Sequence, residues 1–459
     1  MSGTFEHIDV PPTLVSFAVT TGKTGEVVSP EFKAAGHKVV LLSPEYDETG
    51  LPVTASLQSV FAKVNSLMRA GRVVSAWTPG FGGIAEGVMK MCFGNMIGFK
   101  YAESVSPETM FGYQYGSFIL ELSEDVPVGT PLGETSAVGA ISYGSERIFL
   151  TDLLRVYEDK LEPVYACNIA SPAEAVHNFT FRTRSTLASE VKFAKPRVLI
   201  PVFPGTNCEY DTAKAFADAG AEPEIFVIRN RSAEEVARSA ELFAEKTANA
   251  QIVFIPGGFS GGDEPDGSGK FITAFFRGER VKEEITRLLE ERQGLMGGIC
   301  NGFQALIKLG LVPYGKIIDT DETCPTLTYN NIARHQSRIV RVRVASVKSP
   351  WLSLVEAGEV FSVPISHGEG KFVASPALIE QLAENGQIMT QYVDLSDNAT
   401  MDIRFNPNGS AAAIEGILSP DGRVFGKMGH SERKGAGLYK NVPGEYDMKL
   451  FESAVKYFK

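Results

Sequence analysis

Cysteine is scarce in this chain, with five in 459 residues, at positions 92, 167, 208, 300 and 324. So few, so widely scattered, cannot staple a small disulfide-bonded fold, and no CxxC pair offers half of a structural zinc site. Positive charge is also in short supply: 44 Lys+Arg stand against 55 Asp+Glu, a net charge of −11 with the histidines neutral. That balance argues against a general nucleic-acid binder and against an anionic membrane surface, while leaving room for a local basic pocket. No run approaches the roughly 20 apolar residues of a membrane-spanning helix. The start, MSGTFEHIDVPPTLVSF, lacks the basic opening and apolar core of a secretory leader. Internal repeats and low-complexity tracts are missing too. A reduced, cytoplasmic protein is the expectation.

What is present is ordinary globular material, 44% hydrophobic and 22% charged, enough for about three domains or for two large ones. The first 170 residues are expected to form an α+β domain. Strands are predicted over 38–42, 72–77 and 116–122 and near 137–142 and 146–150, with a helix over 55–71 ending at Gly71 and another running to Met91. Residues 171–194 are less periodic and read as a linker. From 195 to 459 the rhythm changes. Strands over 197–202, 224–228, 251–256 and 294–299 alternate with helices over 211–219, 232–247, 271–291 and 301–310. This βαβαβαβα order predicts a doubly wound, mostly parallel sheet with helices on both faces.

The strongest chemical signal is Gly297-Gly298-Ile299-Cys300-Asn301-Gly302-Phe303-Gln304, between a predicted strand and a predicted helix. Gly298-x-Cys300-x-Gly302 is the nucleophile-elbow spacing with cysteine in place of serine. Small neighbours allow a sharp turn, the helix N-terminus favours thiolate, and the Asn301 amide can face an oxyanion. A buried structural cysteine in a glycine-rich turn is the competing account. A second oxyanion donor is expected from Gly257-Gly258-Phe259, after the 251–256 strand. No Lys-Ser/Thr follows those glycines, so a phosphate cradle is disfavoured. A thiolate needs a general base. His430, in Gly429-His430-Ser431-Glu432, and His367, in Ser366-His367-Gly368-Glu369, both carry a carboxylate two residues on, and spacing leaves the choice open. His335 is a third histidine in a suggestive context. No third ligand completes a metal site beside either His-x-Glu pair.

Taken in order, PGTNC (204–208), GGFSGGD (257–263), GGICNGFQ (297–304), NNIARHQSR (330–338), SHGEGKF (366–372), NPNGS (406–410) and MGHSER (428–433) resemble the triad-type glutamine amidotransferase domain of the phosphoribosylformylglycinamidine synthase family. The resemblance spans about 195–459. It implies Cys300 as nucleophile, His430 as base and Glu432 as its partner, with Gln304 beside bound glutamine. His367 and Glu369 then take a structural or channel role. The family's usual His-Pro-Glu-Arg run has Ser431 here. VSPEFK (28–33), AWTPGFGGIAEGVMKMCFGN (76–95) and FGYQYGSFILEL (111–122) resemble the second half of the family's synthetase region, whose fold is shared with aminoimidazole ribonucleotide synthetase. The Ser-Asp-Gly-Gly turn of many relatives reads Pro79-Gly80-Phe81-Gly82-Gly83 here, without the aspartate.

The resemblance implies a ligase with a glutaminase half-reaction in purine biosynthesis. Its glutaminase domain binds no cofactor or metal. ATP and Mg2+ belong to the complete enzyme, which also binds formylglycinamide ribonucleotide. The preceding synthetase portion of the family is not in this chain, so a fragment or split subunit that needs that half as partner is expected. A Cys-His hydrolase of other substrates and a silent interaction module are the alternatives.

Overall fold

A computed structural model describes residues 3–5, 8–166, 169–172, 175–260 and 268–459. Cys167, two linker positions (173 and 174) and Gly261, Gly262 and Asp263 of the glycine-rich loop lie outside the described residues. The chain forms two compact units, residues 1–166 and 167–459.

The first unit is built on a seven-stranded sheet of β1 (Lys38–Leu42), β2 (Val73–Trp77), β3 (Gly98–Tyr101), β4 (Phe118–Leu122), β5 (Thr130–Ser136), β6 (Ala140–Tyr143) and β7 (Glu146–Phe149). Their spatial order is β2-β4-β1-β5-β3-β6-β7. Every neighbouring pair is antiparallel except β3 with β6. Side chains alternate across a strand, so β1 feeds two cores. Val39 and Leu41 pack with Ile84, Val88 and Met91 of α2 (Gly83–Phe93), whereas Val40 and Leu42 pack with Val64 and Leu67 of α1 (Thr54–Arg69). This is the α+β arrangement expected.

In the second unit β8 (Arg197–Val202), β9 (Glu222–Val227), β10 (Ile252–Ile255), β11 (Leu295–Ile299) and β16 (Val424–Lys427) run parallel. Helices α3 (Glu209–Asp218), α4 (Ala233–Ala248), α5 (Lys270–Arg277), α6 (Glu279–Glu290) and α7 (Asn301–Leu309) connect the first four and follow the fourth. The order β9-β8-β10-β11-β16 then continues antiparallel through β15 (Ile414–Leu418), β14 (Ile388–Tyr392), β12 (Gln336–Val344) and β13 (Val360–His367). The single helix expected over 271–291 is two, because Gly278 leaves helical geometry at φ −54°, ψ 131°. Under the sheet, Trp351 meets Phe425 at 4.7 Å between ring centroids, and Phe216 meets Phe254 at 5.3 Å. All four rings are fully buried.

The described part of 171–194 packs against this unit. Phe181 N–H donates to Ala345 O (2.8 Å) and Phe193 N–H to Phe458 O (2.9 Å). Arg184 Nη2 donates to Val355 O at 2.7 Å. The segment is a strap on the second unit with a backbone partner at several points.

Candidate active site

The elbow is a place of forced geometry. Cys300 has φ +52° and ψ −106°, outside the regions an L-residue prefers. The glycines around it make that turn sterically possible. A Cβ on Gly298 would stand 2.7 Å from Gly302 C, and one on Gly302 would stand 2.1 Å from Ile255 O. Strand β11 and helix α7 can therefore touch only through bare backbone. The Cys300 amide donates to Lys427 O at 2.8 Å, and its carbonyl accepts from Gln304 N at 3.0 Å. The Cys300 Sγ lies 3.7 Å from Ser366 O.

The helix N-terminus does not win the contest for the thiol proton. Burial pushes the Cys300 thiol up, with the nearby Cys208 thiol and the Glu432 carboxylate adding, against the Asn301 amide and Arg433. The expectation of a resting thiolate is corrected accordingly. Desolvation of a fully enclosed sulfur outweighs the few local dipoles that favour its anion.

The two His-x-Glu pairs, alike in sequence, differ in space. His430 Nδ1 and Glu432 Oε1 are 2.6 Å apart and both residues are buried. Burial pushes the Glu432 carboxyl up, but the charge and hydrogen bond of His430 outweigh it and hold the group below its ordinary value. His367 ends β13 and Glu369 begins the next strand, Glu369–Val373. His367 Nδ1 faces Asn330 Oδ1 at 3.2 Å, and Glu369 Oε2 accepts from Ser268 N at 3.0 Å. Burial, with His430 and His335 nearby, pushes His367 down to about 3, so its imidazole is neutral. His335 is exposed, its Nε2 3.1 Å from Ser366 Oγ.

Strand pairing brings the cysteine and the first of these pairs together. Ile299 on β11 stands opposite Lys427 on β16. Cys300 follows one residue later and His430 three residues later, at the same sheet edge. Gly257 lies two residues past the end of the neighbouring strand β10. A Cβ there would come within 2.6 Å of His430 Cε1 and 3.2 Å of Cys208 Sγ, so the imidazole packs on bare backbone. Gly258 (φ +155°) is pressed against Gly205 O and Thr206 Cα in the same way. Phe259 N–H is committed to Gly205 O at 2.8 Å. The loop expected to offer oxyanion donors therefore keeps its Phe259 amide for holding the 204–208 turn. Ser260 N–H donates to Asn301 Oδ1 at 3.1 Å, Asn301 Nδ2 to Gln304 Oε1 at 2.9 Å, and Gln304 Nε2 to Glu369 O at 2.6 Å. Asn301 and Gln304 thus stitch the loop, the elbow and the 369–373 strand into one frame.

Sequence reasoning assigned Cys208 no role, although PGTNC was among its motifs. It is buried, with Sγ 3.8 Å from His430 Nδ1 and 3.1 Å from Arg433 Nη2. Burial, and then the charge of Glu432, raise its thiol to about 11 against the pull of Arg433. Donor atoms of Cys208, His430 and Glu432 lie within 4.8 Å of one another. A tetrahedral cation would need its N and O ligands about 3.3 Å apart, so it would have to break the 2.6 Å His430–Glu432 hydrogen bond.

A cysteine on a strand-to-helix elbow and a carboxylate-bound histidine three residues past the end of the next parallel strand are the parts that an α/β cysteine hydrolase would use. Residues 195–458 match the model of the CobB/CobQ-like glutamine amidotransferase domain, and the chain belongs to that family. It is 33% identical over 285 residues to phosphoribosylformylglycinamidine synthase subunit PurQ of Methanococcus maripaludis, covering 57% of this chain and 97% of the relative. The PurQ of Dehalococcoides mccartyi is 34% identical over 276 residues, covering 58% and 98%. Among solved structures, PurLQS from Thermotoga maritima is 28% identical with a TM-score of 0.42, over 58% of this chain and 100% of that one. Among the described residues no helix is long and apolar enough to cross a membrane.

Proposed function

We propose that this chain is the glutamine-hydrolysing part of a phosphoribosylformylglycinamidine synthase, with Cys300 as nucleophile, His430 as general base and acid, and Glu432 as the group that orients His430. The carrying observation is the β11–β16 pairing, which sets the strained elbow next to the buried His430–Glu432 pair. With Nδ1 held by Glu432, Nε2 is the nitrogen free to exchange protons.

The thiol passes its proton to Nε2 as the sulfur attacks the carboxamide carbon of glutamine. The raised thiol pKa makes this transfer necessary, because little thiolate exists beforehand. The amide of Asn301, with one from the 257–259 loop other than the committed Phe259 N–H, would hold the oxyanion. His430 then hands the proton to the departing nitrogen, which leaves as ammonia. The acyl group remains on sulfur as a thioester. Water gives a proton to His430, attacks the thioester and releases glutamate, and the sulfur regains its proton. The sum is glutamine and water to glutamate and ammonia. Every proton moves between Cys300, His430, substrate and water.

The ammonia then displaces the activated formyl oxygen of formylglycinamide ribonucleotide in a synthetase that uses ATP and Mg2+. We assign residues 1–170 to that synthetase portion on the motifs at 28–33, 76–95 and 111–122. In the 79–83 turn the Gly82 N–H is already committed to Glu86 Oε2 at 2.8 Å, which takes one amide away from any phosphate there.

Alkylation by 6-diazo-5-oxonorleucine followed by peptide mapping tests the nucleophile. Modification of Cys300, with loss of glutamine hydrolysis in Cys300→Ala, is expected. Modification of Cys208, or survival of activity in Cys300→Ala, overturns the assignment.

A further inference from the structure

Ser431 follows His430 in the chain, and serine does not restrain the backbone as a proline ring would. The residues beneath it explain how the loop is held without one. Lys427, the last residue of β16, exposes no surface, and neither does its partner Glu415 on β15. An ammonium has three donors. Lys427 Nζ contacts Gly429 O (2.8 Å), Ser431 Oγ (3.1 Å) and Glu415 Oε1 (3.1 Å). Glu415 Oε1 also accepts from Gly429 N at 2.6 Å, and its Oε2 accepts from Thr390 Oγ1 at 2.5 Å. The backbone on one side of His430 and the side chain on the other are therefore tied to one buried ion pair. His430 N–H itself donates to Pro364 O at 2.9 Å. A Cβ on Gly429 would stand 2.6 Å from Val363 Cγ2 and 2.9 Å from Glu415 Oε1, so the chain at this point has room only for glycine. Through its carbonyl the same Lys427 accepts the Cys300 amide at 2.8 Å.

We propose that Lys427 is a positioning residue for His430: paired with Glu415, its ammonium clamps Gly429 and Ser431 and supplies the restraint that serine's own backbone does not. The inference rests on His430 being the base. An ion pair with no solvent contact is a poor source of stability, since desolvation cancels most of its attraction. One geometry, with every donor used, is what such a pair does supply. The lysine carbonyl under Cys300 couples nucleophile and base to a single residue.

The test uses the full chain. The double variant Lys427→Met/Glu415→Gln removes both charges together, so no lone buried charge is left to unfold the protein. Its kcat for glutamine hydrolysis is expected to fall about 100-fold, the cost of a displacement of about 1 Å, with KM changed less than about twofold. The far-downfield proton resonance of the His430 Nδ1–H···Glu432 bond should shift or vanish. Adding Ser431→Pro should restore both. Ser431→Ala, which leaves the ion pair whole, should cost about fivefold in kcat by losing one tether. Wild-type kcat with an unmoved resonance in the double variant overturns the clamp, as does a defect that Ser431→Pro leaves unrepaired. If the double variant does not fold, Ser431→Ala decides, and wild-type behaviour there overturns the proposal. His430→Ala with full glutaminase activity would instead refute the base assignment, and the resonance, read without turnover, keeps the two failures apart.

Discussion

Replacing Glu432 by glutamine changes one charge and almost no volume, at a site where the structure leaves the amide no comfortable orientation. Glu432 Oε1 sits 2.6 Å from His430 Nδ1, while Oε2 is buried with no hydrogen-bond partner. If glutamine turns its oxygen toward Nδ1–H, the charge-assisted bond becomes a neutral one, and the amide nitrogen is buried without an acceptor at about 1–3 kcal/mol. If it turns its nitrogen toward Nδ1, the imidazole takes the tautomer with hydrogen on Nε2, which cannot accept the thiol proton. That wrong tautomer costs about 10⁴-fold in a serine triad. The expected result for Glu432→Gln is a fall in kcat of roughly 10² to 10⁴, with KM little changed because substrate binding is untouched. Glutamate formation against glutamine concentration measures it, and the rate of 6-diazo-5-oxonorleucine alkylation gives the same comparison where turnover awaits a partner. A kcat within about threefold of wild type, in a protein that melts normally, would show that Glu432 neither orients nor stabilises His430.

The same substitution has a signature in acid. The Glu432 carboxyl is held below its ordinary 4.5 in the folded state. Its contribution to stability is complete above that value and is lost as pH falls through the folded-state pKa. The wild-type advantage over Glu432→Gln in denaturant melts should therefore be largest near neutral pH and shrink as the solution is acidified. A difference that grows with acidity contradicts it. Gly298→Ala puts a carbon 2.7 Å from the Gly302 backbone, so a loss of about 1–3 kcal/mol and a fall of several degrees in Tm are expected by thermal melting. In His430→Ala, iodoacetamide should alkylate Cys300 slowly at neutral pH, with a rate that keeps rising beyond the usual thiol range near 8.5, because burial raises the thiol. A plateau at neutral pH would indicate a thiolate at rest. Cys208→Ala removes a thiol that lies beside His430 and Arg433 but takes no step in the proposed hydrolysis, so glutamine hydrolysis should persist; its complete loss would make Cys208 the nucleophile.

Much of the second unit was legible because its signals are local. Short apolar strands joined by helices imply a parallel sheet, and Gly298-x-Cys300-x-Gly302 announces a turn that only small residues permit. The break of the 271–291 helix at Gly278 was legible only in part, since a lone glycine marks weakness in a helix without stating that the chain turns there. The choice between His367 and His430 was not contained in spacing. Both have a glutamate two residues on. One pair lies in a loop that folds the carboxylate onto the ring, and the other straddles two strands that carry its members to different partners.

Residue order alone thus settled most of the second unit's parallel-sheet elements, the elbow and the family, because each depends on neighbours within a turn or a strand. Tertiary contacts decided the burial of Cys300, the presence of Cys208 beside His430, the use of the Phe259 amide and the pairing of Lys427 with Glu415. Those depend on burial and on partners up to 225 positions away, such as Arg433 against Cys208. Desolvation and long-range hydrogen bonds arise only when the sheet is closed, so no local pattern carries them.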